Sequence, residues 1–167
     1  MQFITVFMGL GSNIGGREQH LRDGIKLLAQ SLDVRQASSI YETDPWGYKD
    51  QPHFLNMVCR IQTDMPPEEL LSFFQKVEQL VGRVHTFRYG PRVLDVDILT
   101  YGDQVIAIPA LEIPHPGLAD RAFILVPMAE IAPNWEHPVL GKRAAQLLKE
   151  VSGSHGVRIW GGPLALP

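Results

Sequence analysis

One cysteine, Cys59, is the whole thiol content of this 167-residue chain. An internal disulfide is therefore excluded. Cys59 falls in an apolar strand pattern, which fits a buried thiol better than a reactive one. No apolar run approaches membrane-spanning length, and Met1-Gln2-Phe3 opens without a basic leader, so a cytoplasmic protein with no membrane partner is expected. A basic excess is missing too: 15 Lys and Arg stand against 18 Asp and Glu, a formal net charge of −3. General nucleic-acid binding needs a basic surface, so any basic site must be local. There are no repeats, low-complexity tracts or linkers, and the length suits one domain over residues 1–167, with a loosely ordered tail from about 153. The glycines of Gly9-Leu10-Gly11-Ser12-Asn13 and Gly15-Gly16 lack the Gly-Lys-Ser/Thr of a P-loop and the spacing of a dinucleotide fingerprint, and read mainly as a turn.

What is present is ordinary for a globular domain, with 45% apolar and 20% charged residues. Phe3 to Leu10 is apolar and β-branched, a first strand. Leu21, Ile25, Leu28 and Leu32 recur at helical spacing and predict a helix from about Glu18 to Ser31. Val34 to Glu42 reads as a second strand that tolerates Ser38-Ser39. His53 to Thr63 alternates as a third, with Leu55, Met57, Cys59 and Ile61 on one face and Phe54, Asn56, Val58 and Arg60 on the other. Asp64 reads as an N-cap, with Pro66-Pro67 in the first turn of a helix that ends at Gly82. The strand around Asp95 and Asp97 follows. The order β-α-β-β-α-β is that of an α+β, ferredoxin-like βαββαβ core: an antiparallel sheet with two helices on one face. Beyond it come a helical stretch from Leu118 to Ala132 interrupted by Pro127, a helix from Arg143 to Val151, and a short strand at Val157 to Trp160.

The stretch Arg88-Tyr89-Gly90-Pro91-Arg92-Val93-Leu94-Asp95-Val96-Asp97-Ile98-Leu99 concentrates the chemistry. Residues two apart on a strand share a face, so Asp95 and Asp97 project together while Leu94, Val96 and Ile98 point into a core. Paired carboxylates repel and call for a cation. Hard oxygen ligands favour Mg²⁺, which commonly takes one or two carboxylates together with substrate phosphates. Arg83, Arg88 and Arg92 lie just upstream, and guanidinium forks suit phosphate oxygens. Gly90-Pro91 is a stiff turn that delivers this loop onto the strand. Acid pair and basic loop together read as a nucleoside triphosphate held through magnesium. Two other readings stay open: a two-metal nucleotidyl transferase or cyclase on a related sheet, and a non-enzymatic RNA-binding module.

Residues 43–52, with both prolines, a glycine and Trp46, form a polar loop whose tryptophan either folds onto the core or walls a flat aromatic ligand. Phe54 and Asn56 set an aromatic surface beside an amide, which supplies a donor and an acceptor to a heterocycle edge or to a loop backbone. His115 is fixed between Pro114 and Pro116, and Arg121 follows near a helix start; both are placed to meet phosphate or to serve structure.

A set of ordered pieces spans roughly residues 5 to 133. They are Gly11-Ser12-Asn13, Tyr41-Glu42-Thr43-Asp44-Pro45-Trp46-Gly47, Asp50-Gln51-Pro52-His53-Phe54-Leu55-Asn56, Gly82-Arg83, Arg88-Tyr89-Gly90-Pro91-Arg92, Asp95-Val96-Asp97-Ile98-Leu99, and Pro114-His115 through Arg121-Ala122-Phe123. This set resembles the 6-hydroxymethyl-7,8-dihydropterin pyrophosphokinase family of folate biosynthesis. The resemblance implies transfer of pyrophosphate from ATP to the pterin hydroxymethyl group with release of AMP. It implies two Mg²⁺ ions on Asp95 and Asp97, with Arg83, Arg88 and Arg92 completing the catalytic group. It implies a pterin pocket of Thr43, Pro45, Trp46, Phe54, Asn56 and Phe123, and a nucleotide side of Gln75, Glu78, Arg83, Arg92, Ile98, His115 and Arg121. Small-molecule partners and a monomeric state are expected with it. The chain departs from the family pattern at His85, Tyr89, Ala110, Glu112 and Pro116.

Overall fold

The computed structural model describes residues 2–83 and 86–167; Val84 and His85 lie outside the described residues. Along the chain run β1 (Ile4–Ser12), α1 (Arg17–Leu28), β2 (Asp33–Ala37), β3 (Ile40–Thr43), β4 (Phe54–Thr63), α2 (Pro67–Val81), β5 (Asp95–Tyr101), β6 (Ile106–Ile108), β7 (Leu111–Ile113), α3 (Ala122–Ile131), α4 (Ala144–Glu150) and β8 (Val157–Gly161). The main sheet has the order β5-β1-β4-β3-β8, with β2 also paired to β4. Every pairing is antiparallel. With β2 and β3 counted as one broken strand, this is the ferredoxin-like arrangement expected, extended by β8. The β6–β7 hairpin stands apart from it.

Alternation along the strands divides the side chains between two cores. Val6, Met8 and Leu10 of β1, Leu55, Met57, Cys59 and Ile61 of β4, and Val96 and Ile98 of β5 pack with Leu21, Ile25 and Leu28 of α1 and with Leu70, Phe74 and Val77 of α2. On the opposite face Phe7, Val58 and Leu99 pack with Ile124, Leu125 and Met128 of α3 and with Ala144 and Leu147 of α4. Each Val, Leu, Ile, Met or Phe among them contributes on the order of 1.5–3 kcal/mol by leaving water. The second core covers only part of its face, and the uncovered part carries Asp95, Asp97, Asn56 and Phe54. Burial pushes the Cys59 thiol up to about 12, so it is inert.

Several local expectations are corrected. Gly9 and Gly11 are not in a turn: they lie inside β1, paired on both sides. The second strand is broken, because buried Ser38 takes over its pairing: its Oγ accepts from Val58 N–H at 2.9 Å and donates to Ser39 C=O at 2.8 Å. The carboxylate of Glu130 on α3 then accepts from Ser39 N–H at 3.0 Å and from the Tyr41 hydroxyl at 2.7 Å, tying that break to the outer layer. Asp64 does not cap α2. Pro66, which precedes Pro67, is held extended at φ −58° and ψ 154°, so helical geometry starts only at Pro67. Pro127 sits inside α3 without ending it, since Ile124, Leu125 and Met128 are buried on both sides of it. The end expected to be loose from about 153 is an edge strand, β8, followed by Leu164, buried in the first core.

Ser38→Ala removes the hydrogen-bond partner of Val58 N–H and leaves that donor buried. The expected cost is about 1–3 kcal/mol, read as a lower urea midpoint with an unchanged slope. A midpoint equal to that of the wild type contradicts this role for Ser38.

Candidate active site

The end of α2 determines the charge arrangement. Gly82 closes the helix at φ 119°, and Arg83 N–H turns back to Glu78 C=O at 3.0 Å, a helix stop that needs a left-handed residue. That geometry fixes Arg83, whose guanidinium donates to Glu78 Oε2 at 2.7 Å and to Asp95 Oδ1 at 3.1 Å. Glu78 Oε2 also accepts from Val96 N–H at 2.8 Å, so one buried carboxylate pins both the arginine and β5. Arg92 meets Asp95 Oδ1 from the other side at 3.1 Å. Asp95 thus has two guanidinium partners, and no salt bridge is seen for Asp97 among the described residues.

The carboxyls respond accordingly. Asp97 is held well above the usual carboxylate range, first by burial and then by the charges of Asp95 and Glu78. Glu78 is pushed up to about 7 by burial and by Asp95, against the opposing effects of Val96 N–H and Arg83. His115 is lowered, first by burial and then by the Arg121 charge. Its Nδ1 accepts from Gly117 N–H at 3.0 Å, leaving Nε2 to carry the ring proton as a donor.

The floor between β4 and β5 is backbone. Gly11 is paired with Asp95 on one side and Asn56 on the other, and Gly9 with Asp97 and Val58. A Cβ on Gly11 would stand 2.5 Å from Asn56 Oδ1, so only glycine leaves the amide in place. Asn56 Nδ2 donates to Thr43 Oγ1 at 2.7 Å. Above this floor lies a cavity of about 290 Å³, walled at one end by Thr43, Trp46, Phe54, Asn56 and Phe123 and at the other by Arg92, Asp95, Asp97, His115 and Arg121. Trp46 and Phe123 meet tilted, with ring centroids 6.3 Å apart, and the Arg121 guanidinium lies 5.0 Å from the Trp46 ring centroid. Arg121 Nε is buried without a hydrogen-bond partner among the described residues. A shallow recess of about 30 Å³ continues over Gly9 and Gly11 beneath both aspartates. One continuous space thus joins a slot for a flat ring to a charged end suited to phosphates.

Residues 7–133 match the sequence model of the 7,8-dihydro-6-hydroxymethylpterin-pyrophosphokinase family. The chain belongs to this family. It is 44% identical over 138 residues to an Aquifex aeolicus 2-amino-4-hydroxy-6-hydroxymethyldihydropteridine pyrophosphokinase, covering 83% of this chain and 86% of that protein. It is 42% identical over 156 residues to a Bacillus subtilis protein of the same name, covering 92% and 89%. A folic acid synthesis protein of Dictyostelium discoideum is 42% identical over 81% of this chain and 20% of its own length. Among solved structures, a Plasmodium falciparum HPPK-DHPS chain superposes with a TM-score of 0.72 at 16% identity; 88% of this chain covers 43% of that one. That likeness speaks for the fold.

The pyrophosphokinase cavity gathers most of the residues picked out in the sequence, but not all. Pro45 opens instead onto a neighbouring space of about 580 Å³ behind Trp46 and Phe123. Arg83 and Glu78 stand behind the wall, acting on Asp95 and β5. Ile98 points its side chain into the core beneath α1 and α2, and Gln75 is exposed on α2. Arg88 is exposed and lies over the Tyr89 ring. Of the departures from the family pattern, Tyr89 and Pro116 line the cavity, Ala110 and Glu112 are exposed at the β6–β7 hairpin, and His85 is outside the described residues. Sequence reasoning missed Gly9, Gly11, Asn13 and Gln51 as parts of the site. The alternation of the two glycines inside an apolar strand was the available signal.

A carboxyl whose pKa is raised on folding binds its proton more tightly folded than unfolded, so its contribution to stability declines as pH rises from the ordinary value towards the folded one. For Glu78 that window runs from 4.5 to about 7, and Asp97 acts in the same direction. The melting temperature of the protein free of divalent ions and nucleotide should therefore fall more between pH 5 and pH 8 than that of Glu78→Gln. Parallel curves for the two proteins contradict the assignment.

Proposed function

We propose that this chain transfers the terminal pyrophosphate of ATP to the hydroxymethyl group of 6-hydroxymethyl-7,8-dihydropterin, releasing AMP, as a step of folate biosynthesis. Family membership supports this, and one observation carries it: the aromatic residues suited to a flat ring and the arginines and aspartates suited to phosphates and metal line one cavity. In this reading Thr43, Trp46, Phe54, Asn56 and Phe123 hold the pterin, with Pro45 behind them in the neighbouring space. Its flat ring lies among the aromatics, and the Asn56 amide faces a ring edge. Arg92, His115 and Arg121 receive the phosphates, Arg121 with an Nε–H that has no other partner among the described residues. Arg83 and Glu78 act one step back by fixing Asp95. Arg88 reaches the site only if its loop moves, and Gln75 and Ile98 belong to the nucleotide side, Ile98 only through its main chain because its side chain is in the core.

The donor set fits magnesium. No three His, Cys, Asp or Glu side chains gather into a metal cage among the described residues. Two adjacent carboxylates, one short of counter-charge, suit a hard cation that draws its remaining ligands from phosphate and water. Asp95 and Asp97 would hold two Mg²⁺ ions, which when bound supply charge neutralisation and alignment of phosphate oxygens. The chain's own part is positioning: phosphoryl-type transfer asks for orientation and charge complementarity more than covalent chemistry. A nucleotidyl transferase shares the acid pair but has no use for the aromatic slot.

The reading includes a monomeric, cytoplasmic enzyme. No described helix is long and apolar enough to cross a membrane. Light scattering and cell fractionation test these two points.

The decisive experiment is an AMP-forming assay that requires both ATP–Mg²⁺ and 6-hydroxymethyl-7,8-dihydropterin; AMP release indifferent to the pterin refutes the reading. In that assay Asp95→Asn and Asp97→Asn should fold and yet lose on the order of a thousandfold in turnover, as several kcal/mol of transition-state stabilisation implies. Near-normal turnover of either variant at saturating Mg²⁺ removes that aspartate from the metal site.

Asn56→Ala should weaken pterin binding by about 1–3 kcal/mol, leaving a buried ring edge unpaired, while ATP binding stays close to wild type. Calorimetry showing an unchanged pterin affinity returns Asn56 to a purely structural bond with Thr43.

A further inference from the structure

Two guanidiniums outside the cavity grip the neck of the loop that carries the ring slot. This loop leaves β3 after Thr43 and enters β4 at Phe54, and those two residues are paired. Arg158 of β8 reaches both stems. Its Nη1 and Nη2 donate to Asp44 Oδ1, each at 3.3 Å, and Nη2 also donates to His53 Nδ1 at 3.2 Å. Arg17, at the start of α1, bridges the same stems: its Nη1 donates to Glu42 Oε2 and to His53 C=O, both at 2.9 Å. The Arg17 guanidinium lies 4.9 Å from the centroid of the Trp160 ring, and Trp160 Nε1 donates to Glu18 Oε1 at 3.3 Å, so β8 and α1 also hold each other.

The main chain seats Asp44 against the same strand. Its N–H donates to Gly156 C=O at 3.1 Å, and a Cβ on Gly156 would stand 2.7 Å from Asp44 Oδ2. Thr43 is paired with Val157, and Glu42 with Arg158. Beyond the neck the loop is held from another side. Asn13 Nδ2 donates to Gln51 Oε1 and Pro52 C=O, each at 2.9 Å, and Asn13 Oδ1 accepts from Arg92 N–H at 2.8 Å. Gln51 Nε2 donates to Tyr89 C=O at 2.7 Å.

The gripped residues are the immediate neighbours of the slot. Thr43 and Trp46 flank Asp44, and Phe54 and Asn56 follow His53. On the cavity side the Asn56–Thr43 bond spans the two stems; on the outer side Arg158 does. Arg158, Asp44 and His53 are all exposed, and exposed ion pairs contribute little to folding stability. A planar fork with fixed donors does set geometry.

We infer that Arg158 is a positioning residue: by bridging Asp44 and His53 it fixes the spacing of the two loop stems, and with it the grip of the slot on the heterocycle. The inference rests on the pyrophosphokinase reading above. It makes β8, which lies beyond the residues 7–133 matched by the family model, part of the substrate site. Thr43 and Asn56 must meet one flat ring at a fixed separation. With Arg158 removed the stems are freer to part, and binding bears the cost of ordering them. Among the described residues the polar partners of Arg158 are Glu42, Asp44 and His53, all on the ring-slot side. The nucleotide should therefore be indifferent to it.

The test is calorimetry of two ligands: a non-hydrolysable ATP analogue with Mg²⁺, and 6-hydroxymethyl-7,8-dihydropterin with that analogue present. The proteins are wild type, Arg158→Ala, Arg158→Lys, Asp44→Ala and the double variant of Asp44→Ala with Arg158→Ala. In Arg158→Ala the pterin dissociation constant should rise by on the order of fivefold to tenfold, as the ordering of one or two side chains implies, while that of the analogue stays within about twofold of wild type. Lysine keeps the charge without the fork, so Arg158→Lys should still weaken the pterin by about threefold or more. In the Asp44→Ala background, loss of Arg158 should add no more than about twofold, because the two act as one unit. Melting temperatures near wild type are expected and serve as the folding control. An unchanged pterin affinity in Arg158→Ala overturns the inference. So does equal weakening of pterin and analogue, the mark of a general loosening. Wild-type affinity in Arg158→Lys, or independent effects in the double variant, overturn it too. All of these leave the pyrophosphokinase reading standing. A wild type that binds the analogue but no pterin overturns both.

Discussion

The site depends on an unequal sharing of positive charge at the end of β5. Three carboxyls converge there, from Glu78, Asp95 and Asp97, and two guanidiniums meet them. Both guanidiniums reach Asp95. Asp97 is left with burial and two negative neighbours, which is why its proton is held so tightly. The imbalance is built in by remote parts of the chain. The left-handed Gly82 turns Arg83 back, Glu78 locks it to the β5 backbone, and Asn13 holds Arg92 by its main chain. The free protein thus keeps a carboxyl without a guanidinium partner in a cavity that Arg92, Arg121 and aromatic rings also line, and a cation accompanied by phosphates would displace its proton and meet the arginines at once.

Period-two alternation lets the same strands serve as core and as site. Leu55, Met57 and Cys59 are buried against α1 and α2, and the residues between them face the other layer. There α3 and α4 cover Val58 and stop short of Asn56 and Phe54. The tie from Glu130 to Ser39 and Tyr41 fixes how far that outer layer reaches. The cavity is the part of that sheet face that α3 and α4 leave uncovered.

Much of this was legible in the chain. Alternation placed Asp95 beside Asp97 and Phe54 beside Asn56, the helical stripes were correct, and the element order implied the ferredoxin-like sheet. The parts that were not legible share a cause: they depend on a partner far away in sequence. Gly9 and Gly11 have ordinary turn composition, and only pairing on both sides makes them strand. Ser38 breaks a strand because Val58 lies opposite. Asp64 has the chemistry of a cap, but the proline pair sets backbone geometry before any cap can act. Pro127 is a helix breaker by propensity, overridden by burial around it. Asn13 and Gln51 look like loop polars, and their bonds run to partners 38 to 79 residues away.

The glycine floor has a consequence for inhibition. Wherever a side chain lines a cavity, one substitution can remove a contact with an inhibitor while the fold survives. At Gly9 and Gly11 the lining is peptide group, which every substitution retains. At Gly11 any added carbon collides with the amide proposed to hold the substrate. A compound anchored to the backbone at Gly11 would bind where resistance has little room to arise, because a side chain that pushes the compound out also disturbs the grip on the natural ligand.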